Sequence, residues 1–150
     1  MTLLEAGPAL DRRIALEVLG WHLYHYDKDF APNCYWMLLD ADGDSAVWAV
    51  PYAKMEHPTE EAAWAVCPRF STEWAAAEPI LAQFDVWQLQ YDARPRTKRL
   101  SYACHLRRAD SGLWVTSYAA TVPLALCTAA LYLAGRVRQL THLLEPPAPT

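Results

Sequence analysis

The chain predicts an α+β fold: an antiparallel β-sheet of about five to six strands covered by three α-helices in a sandwich, within a single domain over residues 1–145. Three patterns predict it. Apolar residues recur at helical spacing near the start, in the middle and near the end of the chain. Between them, short aromatic and β-branched runs arrive in two groups, separated by turn residues. Finally, 150 residues with 53% hydrophobic and 20% charged side chains suffice for one packed core and are too few for two.

The first helix is predicted from Pro8 to Leu19, with Pro8 in its opening turn and Gly20 as its stop. Leu10, Ile14 and Val18 form its buried stripe, opposite a solvated face holding Asp11, Arg12 and Glu17. Three strands follow, WHLYHY, YWMLL and SAVWAV, the last two joined by a hairpin turn at Asp40-Ala-Asp-Gly-Asp44. Residues 51–70 contain three prolines and a short helical piece after Thr59, which reads as a connection or insertion.

A second helix is expected from Ser71 or Thr72 to Phe84, with Trp74, Ala77, Leu81 and Phe84 on one face. Pro79 opposes it by removing a backbone donor, unless the helix starts there after an irregular first turn. The strand grammar then repeats in VWQLQY, RLSYACHL and LWVTSY, the last after the Arg108-Ala-Asp-Ser-Gly112 turn. Thr121 is placed to cap a third helix that is apolar almost all round and must be covered on more than one side. Its continuation sets Val137, Leu140 and Leu144 in a stripe below Leu133, which docks back onto the sheet or forms a homodimer contact. Residues 146–150 form a Pro-rich tail expected to be disordered.

Leu113 to Gly135 is a run of 23 uncharged residues, long enough to span a bilayer on length alone. Its Trp114, Thr116, Ser117, Tyr118, Thr121 and Pro123 instead read as strand, turn and helix start, so no membrane segment is expected. The start MTLLEAGPALDRR lacks a basic, then apolar leader, which places the expected location in the cytoplasm.

Several chemistries lack their signatures. The five glycines at 7, 20, 43, 112 and 135 are too scattered for a dinucleotide or P-loop motif. Cys34, Cys67, Cys104 and Cys127 form no C-x-x-C pair, so reduced thiols are expected, with Cys104 and Cys127 as small buried hydrophobes. His22 and His25 point to opposite faces of a strand, and the Asp40–Asp44 turn has its glycine at 43 and a proline where a calcium loop needs glutamate. No metal and no cofactor are expected. No G-x-S-x-G elbow or paired acid and base emerges from the spacing, so the chain reads as a non-enzyme.

Charge is distributed unevenly. Residues 1–93 carry 5 Lys/Arg against 15 Asp/Glu, whereas residues 94–150 carry 8 against 2. The net charge of −4 excludes nonspecific coating of nucleic acid, which needs a basic surplus. Arg94, Arg96, Lys98, Arg99, Arg107 and Arg108 fall in fifteen residues without an acid. Seven tryptophans and eight tyrosines accompany them; Trp21, Trp74 and Trp87 are assigned to the core, and Trp36, Trp48, Trp64, Trp114, Tyr91 and Tyr118 remain as a surplus.

Three segments resemble a known family. LDRRIALEVLGW (10–21), FSTEWAAAE (70–78) and TVPLALCTAALYLAG (121–135) are similar to the landmarks of the phage ABA-sandwich family of small bacteriophage proteins. These landmarks are a helix ending in a Gly-Trp corner, an S-T-D-x-x-A-A-W-like opening of the middle helix, and an A-P-L-A-I-C-x-A-L-like closing helix. Glu78 stands where the family shows an aromatic, and residues 51–69 are longer than its usual connection. The resemblance implies a phage-encoded accessory protein working inside an infected bacterial cell, and it carries no catalytic residues.

From charge and aromatics, the expected function is binding of a small anionic nucleotide-type ligand. Arg94, Arg96, Arg99 and Arg107 would pair its phosphates, and Tyr91 or Trp114 would stack its base. Sequestering a nucleotide immune signal needs affinity and no chemistry. The alternative is a module that binds and modulates a host or phage protein through the acidic first half or the Leu133, Val137, Leu140, Leu144 stripe.

Overall fold

The computed structural model describes residues 4–27, 34–46, 56–94, 96–97 and 100–144. It is an α+β fold with five strands in two antiparallel sheets, together with four α-helices, among those residues. The expected single sheet is therefore divided: His22–Asp27 (β1) pairs with Cys34–Leu39 (β2), while Val86–Tyr91 (β3), Tyr102–Arg107 (β4) and Trp114–Ala119 (β5) form a separate meander in the order β3-β4-β5. Of the expected strand SAVWAV, Ser45 bridges to Leu39, and residues 47–50 lie outside the described residues.

Helix α1 spans Pro8–Arg13 and continues as a π-helical turn, Ile14–Val18, closed by the Leu19 amide on the Ile14 carbonyl at 3.1 Å. Gly20 ends it at φ +71°, a left-handed conformation in which a side chain is strained. That reversal turns Trp21 inward, where its ring meets Phe70 edge-on at 5.6 Å between centroids. Helix α2, Glu60–Ala65, begins as expected, with Thr59 Oγ1 accepting from the Ala62 amide.

The middle helix takes the form that Pro79 left open. One continuous helix over 72–84 does not form; the chain makes an irregular 3₁₀ turn at Trp74–Ala76 and then starts the short helix α3, Glu78–Leu81, with Pro79 in its first turn. Proline has no N–H to give and its ring collides with the preceding turn, so the helix restarts at the position where both defects are harmless. Trp74 and Trp87, assigned to the core, are 42% and 44% exposed and meet each other edge-on at 6.2 Å.

Helix α4, Val122–Leu144, packs on β4, β5 and the π-helical turn, which buries Ala125 through Leu131 and Leu133. This two-sided cover is what its apolar circumference requires. Leu133 belongs to the core, so the proposed stripe does not begin on the surface; the side chains of Leu140 and Leu144 lie outside the described residues. Cys104 and Cys127 are fully buried. Among the described residues, no helix is long and apolar enough to cross a membrane.

Asp11 is a correction. It lies in the core at 4% exposure, because its carboxylate accepts from both the backbone and the hydroxyl of buried Ser71. A buried carboxylate persists only with such partners.

Candidate functional site

Side chains alternate across a strand, and register partners share a face. On the β3-β4-β5 sheet, Trp87, Leu106 and Val115, then Leu89, Cys104 and Ser117, then Tyr91, Tyr102 and Ala119 therefore lie on the helix-covered face. The opposite face carries Val86, Arg107 and Trp114, then Gln88, His105 and Thr116, then Gln90, Ala103 and Tyr118. On this outer face Val86, Trp114 and Tyr118 are 45%, 64% and 50% exposed.

The centre of the outer face is held by His105. Its Nδ1 is 2.7 Å from Thr116 Oγ1 and its Nε2 is 3.1 Å from Gln90 Oε1, so side chains of all three strands are tied together. The tautomer protonated on Nε2 satisfies both contacts, donating to Gln90 and accepting from the Thr116 hydroxyl.

The register divides the expected ligand residues. Arg107 and Trp114 are direct cross-strand neighbours on the outer face, both exposed. Tyr91 stands on the other face at the far end of β3, with its ring against Tyr102 at 5.1 Å. Five strand steps separate the two ends, about 17 Å. Arg94 and Arg96 are exposed in the β3–β4 connection beyond Tyr91, where the Arg94 amide donates to Asp92 Oδ1 at 2.8 Å. Arg99 lies outside the described residues. The five described residues of this set thus do not gather into one pocket.

The Tyr91 end holds a hollow of about 420 Å³ lined by Gln90, Tyr91, Asp92, Leu100, Ala103 and Tyr118. Asp92 gives that hollow a negative wall, which opposes an anion. Arg108 is neutralised by Asp110 at 2.8 Å, and its hydrogen bond holds the Asp110 carboxyl below the usual carboxylate range. Arg107 makes no ion pair among the described residues.

A second guanidinium at the Trp114 end was not anticipated. Arg136 Nη1, on α4, donates to the Trp114 backbone carbonyl at 3.3 Å and has no carboxylate partner among the described residues. Its signal in the sequence is the Arg136-x-Arg138 pair that ends a long uncharged run. The Trp114 end thus carries two cations without a carboxylate partner among the described residues, Arg107 on the same sheet face as the indole and Arg136 at the backbone carbonyl. Among the described residues, no group of three His, Cys, Asp or Glu side chains is placed to hold a metal ion.

Residues 12–131 match the family described as the phage ABA sandwich domain. The chain is also similar to a phage protein from Bacillus cereus ATCC 14579 known from a 2.0 Å crystal structure, with 15% identity over 87% of this chain and 94% of that one and a TM-score of 0.46. No curated protein matches it. With four fifths of its length inside the family match, the chain belongs to the phage ABA sandwich domain family.

Proposed function

We propose that the protein is a non-enzymatic phage accessory protein that binds and sequesters a small anionic nucleotide-type molecule, in counter-defence within the infected bacterial cell. The observation that carries this reading is the exposed cross-strand pair of Arg107 and Trp114 on the outer face of β4 and β5. A base stacks on the indole, an interaction worth about 1–3 kcal/mol per base, and the adjacent guanidinium takes a phosphate through paired N–H donors. Arg136 adds a second positive charge at the same end. Gln88 and Gln90, on the same face, offer amide groups to base edges.

Calorimetry with cyclic and linear nucleotides, including ADP-ribose derivatives, tests the reading. Saturable heat below millimolar concentration is expected, with Trp114→Ala weakening it about tenfold or more. Absence of heat below millimolar for every nucleotide, or affinity untouched by Trp114→Ala, overturns it.

The exposed Trp74–Trp87 pair favours a second reading. It stands beside the edge of β3, which has no strand partner among the described residues, and exposed tryptophans at an open edge suit addition of an extended segment from a host or phage protein. A stoichiometric partner that copurifies with the native chain and is lost with Trp87→Glu is the expected result; retention of the partner by that variant removes the reading.

A further inference from the structure

Where α4 crosses the π-helical turn, arginines from two helices converge on one carboxylate. Arg13 and Glu17 are four residues apart, and Arg13 Nε donates to Glu17 Oε2 at 2.7 Å. From α4, Arg138 donates through Nη2 to Glu17 Oε1 and through Nη1 to the Glu17 backbone carbonyl, each at 3.2 Å. Arg136, two residues earlier on α4, also lines this groove, with its Nη1 on the Trp114 carbonyl. Together with Leu4 and Tyr132 these side chains line a groove of about 340 Å³. That volume is within the range of small-ligand sites, about 300–1,000 Å³.

The charges lining this groove do not balance. Arg13 and Arg138 share a single carboxylate, Glu17, whose two oxygens are both engaged, and Arg136 lines the same groove with no carboxylate partner among the described residues. Fastening α4 to the first helix requires only the Arg138 contacts to Glu17; Arg13 and Arg136 are additional. Each guanidinium carries five N–H donors, of which Arg13 uses Nε and Nη2, Arg138 uses Nη1 and Nη2, and Arg136 uses Nη1. The two arginines hold the Glu17 carboxyl below the usual range, first through the Arg13 hydrogen bond, against the opposing effect of burial and with the help of both arginine charges.

We propose that this groove, lined by Arg13, Arg136, Arg138 and Tyr132, is a binding site for a diphosphate or longer polyphosphate group. Two uncompensated charges match the charge of a group with several phosphoryl oxygens, and guanidinium forks match their geometry in pairs. Glu17 acts as a placeholder that positions Arg13 and Arg138 before the ligand arrives. The site is separate from the Trp114 face and does not depend on it, although Arg136 borders both.

Calorimetry of the full chain with inorganic pyrophosphate tests the proposal, with orthophosphate and citrate as comparison anions. Saturable pyrophosphate binding is expected, weakened about tenfold or more in the R13Q/R138Q double variant and retained in Trp114→Ala. Glu17→Gln removes the internal competitor and is expected to tighten pyrophosphate binding several-fold, a gain that misfolding cannot mimic. The proposal is overturned if pyrophosphate shows no saturable heat, if the double variant binds as tightly as the native chain, if Glu17→Gln weakens binding, or if orthophosphate or citrate binds as tightly as pyrophosphate. Failure of nucleotide binding at Trp114 alone leaves these outcomes unchanged.

Discussion

Ser71 donates twice to one oxygen of Asp11: its backbone N–H and its hydroxyl each reach Oδ1 at 2.7 Å, across 60 residues of sequence. The Gly7 amide in turn donates to Ser71 Oγ at 2.9 Å. The two buried polar residues lie in two of the three family landmarks, so this contact locks the first helix to the start of the middle segment.

Ser71→Ala leaves the Asp11 oxygen with the backbone donor alone and deprives the Gly7 amide of its acceptor. The expected cost is about 2 kcal/mol, or a fall of about 4–8 °C in Tm for a chain of this length. Asp11→Asn retains an acceptor oxygen for both donors and is expected to melt well above Asp11→Ala. Thermal unfolding of the three variants checks this; equal melting of Asp11→Asn and Asp11→Ala would show that the carbonyl oxygen is not what Ser71 holds.

At Gly20, an added Cβ would meet Ala41 Cβ at 3.5 Å, an ordinary contact, so space does not forbid a side chain there. The φ of +71° does, since left-handed backbone costs a residue with a Cβ about 1–2 kcal/mol. Gly20→Ala is expected to lose that much stability in urea titration and Gly20→Asn less. Equal losses would point to packing at the Trp21 corner instead.

Burial pushes the Cys67 and Cys104 thiols up to about 12 and raises Cys127 as well, in each case chiefly by desolvation of the thiolate. The neutral thiol is therefore the form the fold retains. Below the unfolded value of 9.0 the contribution to stability is complete; between there and about 12 the unfolded chain ionises first, and stability falls as pH rises. Labelling by a thiolate-selective reagent at pH 8 should leave these three cysteines unmodified in the native protein and modify them in guanidinium. Rapid native labelling of Cys104 or Cys127, read by peptide mapping, would contradict their burial.

Glu17 responds with the opposite sign. Its carboxyl is lowered from 4.5, so the unfolded chain takes up the proton before the folded one does. The stabilisation is present above 4.5 and is lost as pH falls through the lower folded value. Urea midpoints measured between pH 5 and pH 3 should fall more for the native chain than for Glu17→Gln. Identical slopes would mean that solvent screens the Arg13 and Arg138 contacts completely.

Local patterns carried much of the fold. The β3 run VWQLQY, the helix start at Thr121, the Thr59 cap and the Gly20 stop depend on nearest neighbours along the chain, and each stands where its residues place it. For the middle helix the sequence left two forms open, one continuous helix over 72–84 or a start at Pro79 after an irregular turn, and the missing proline N–H selects the second. Asp11 was read as solvated because its partner is distant in sequence, and Trp74 and Trp87 were read as buried because composition records how apolar a ring is and not where the sheet ends.

By itself the sequence determined the family, the α+β class and the burial of Cys104 and Cys127, since landmark motifs, periodicity and an uncharged helix are properties of neighbouring residues. Only the tertiary structure decided which cations share a surface. Strand register placed Arg107 beside Trp114 and sent Tyr91 to the opposite face and end, while the docking of α4 brought Arg136 and Arg138 to elements far away in sequence. Linear charge density counts guanidinium groups along the chain, whereas an anion responds to their separation in space and to the carboxylates that pack beside them.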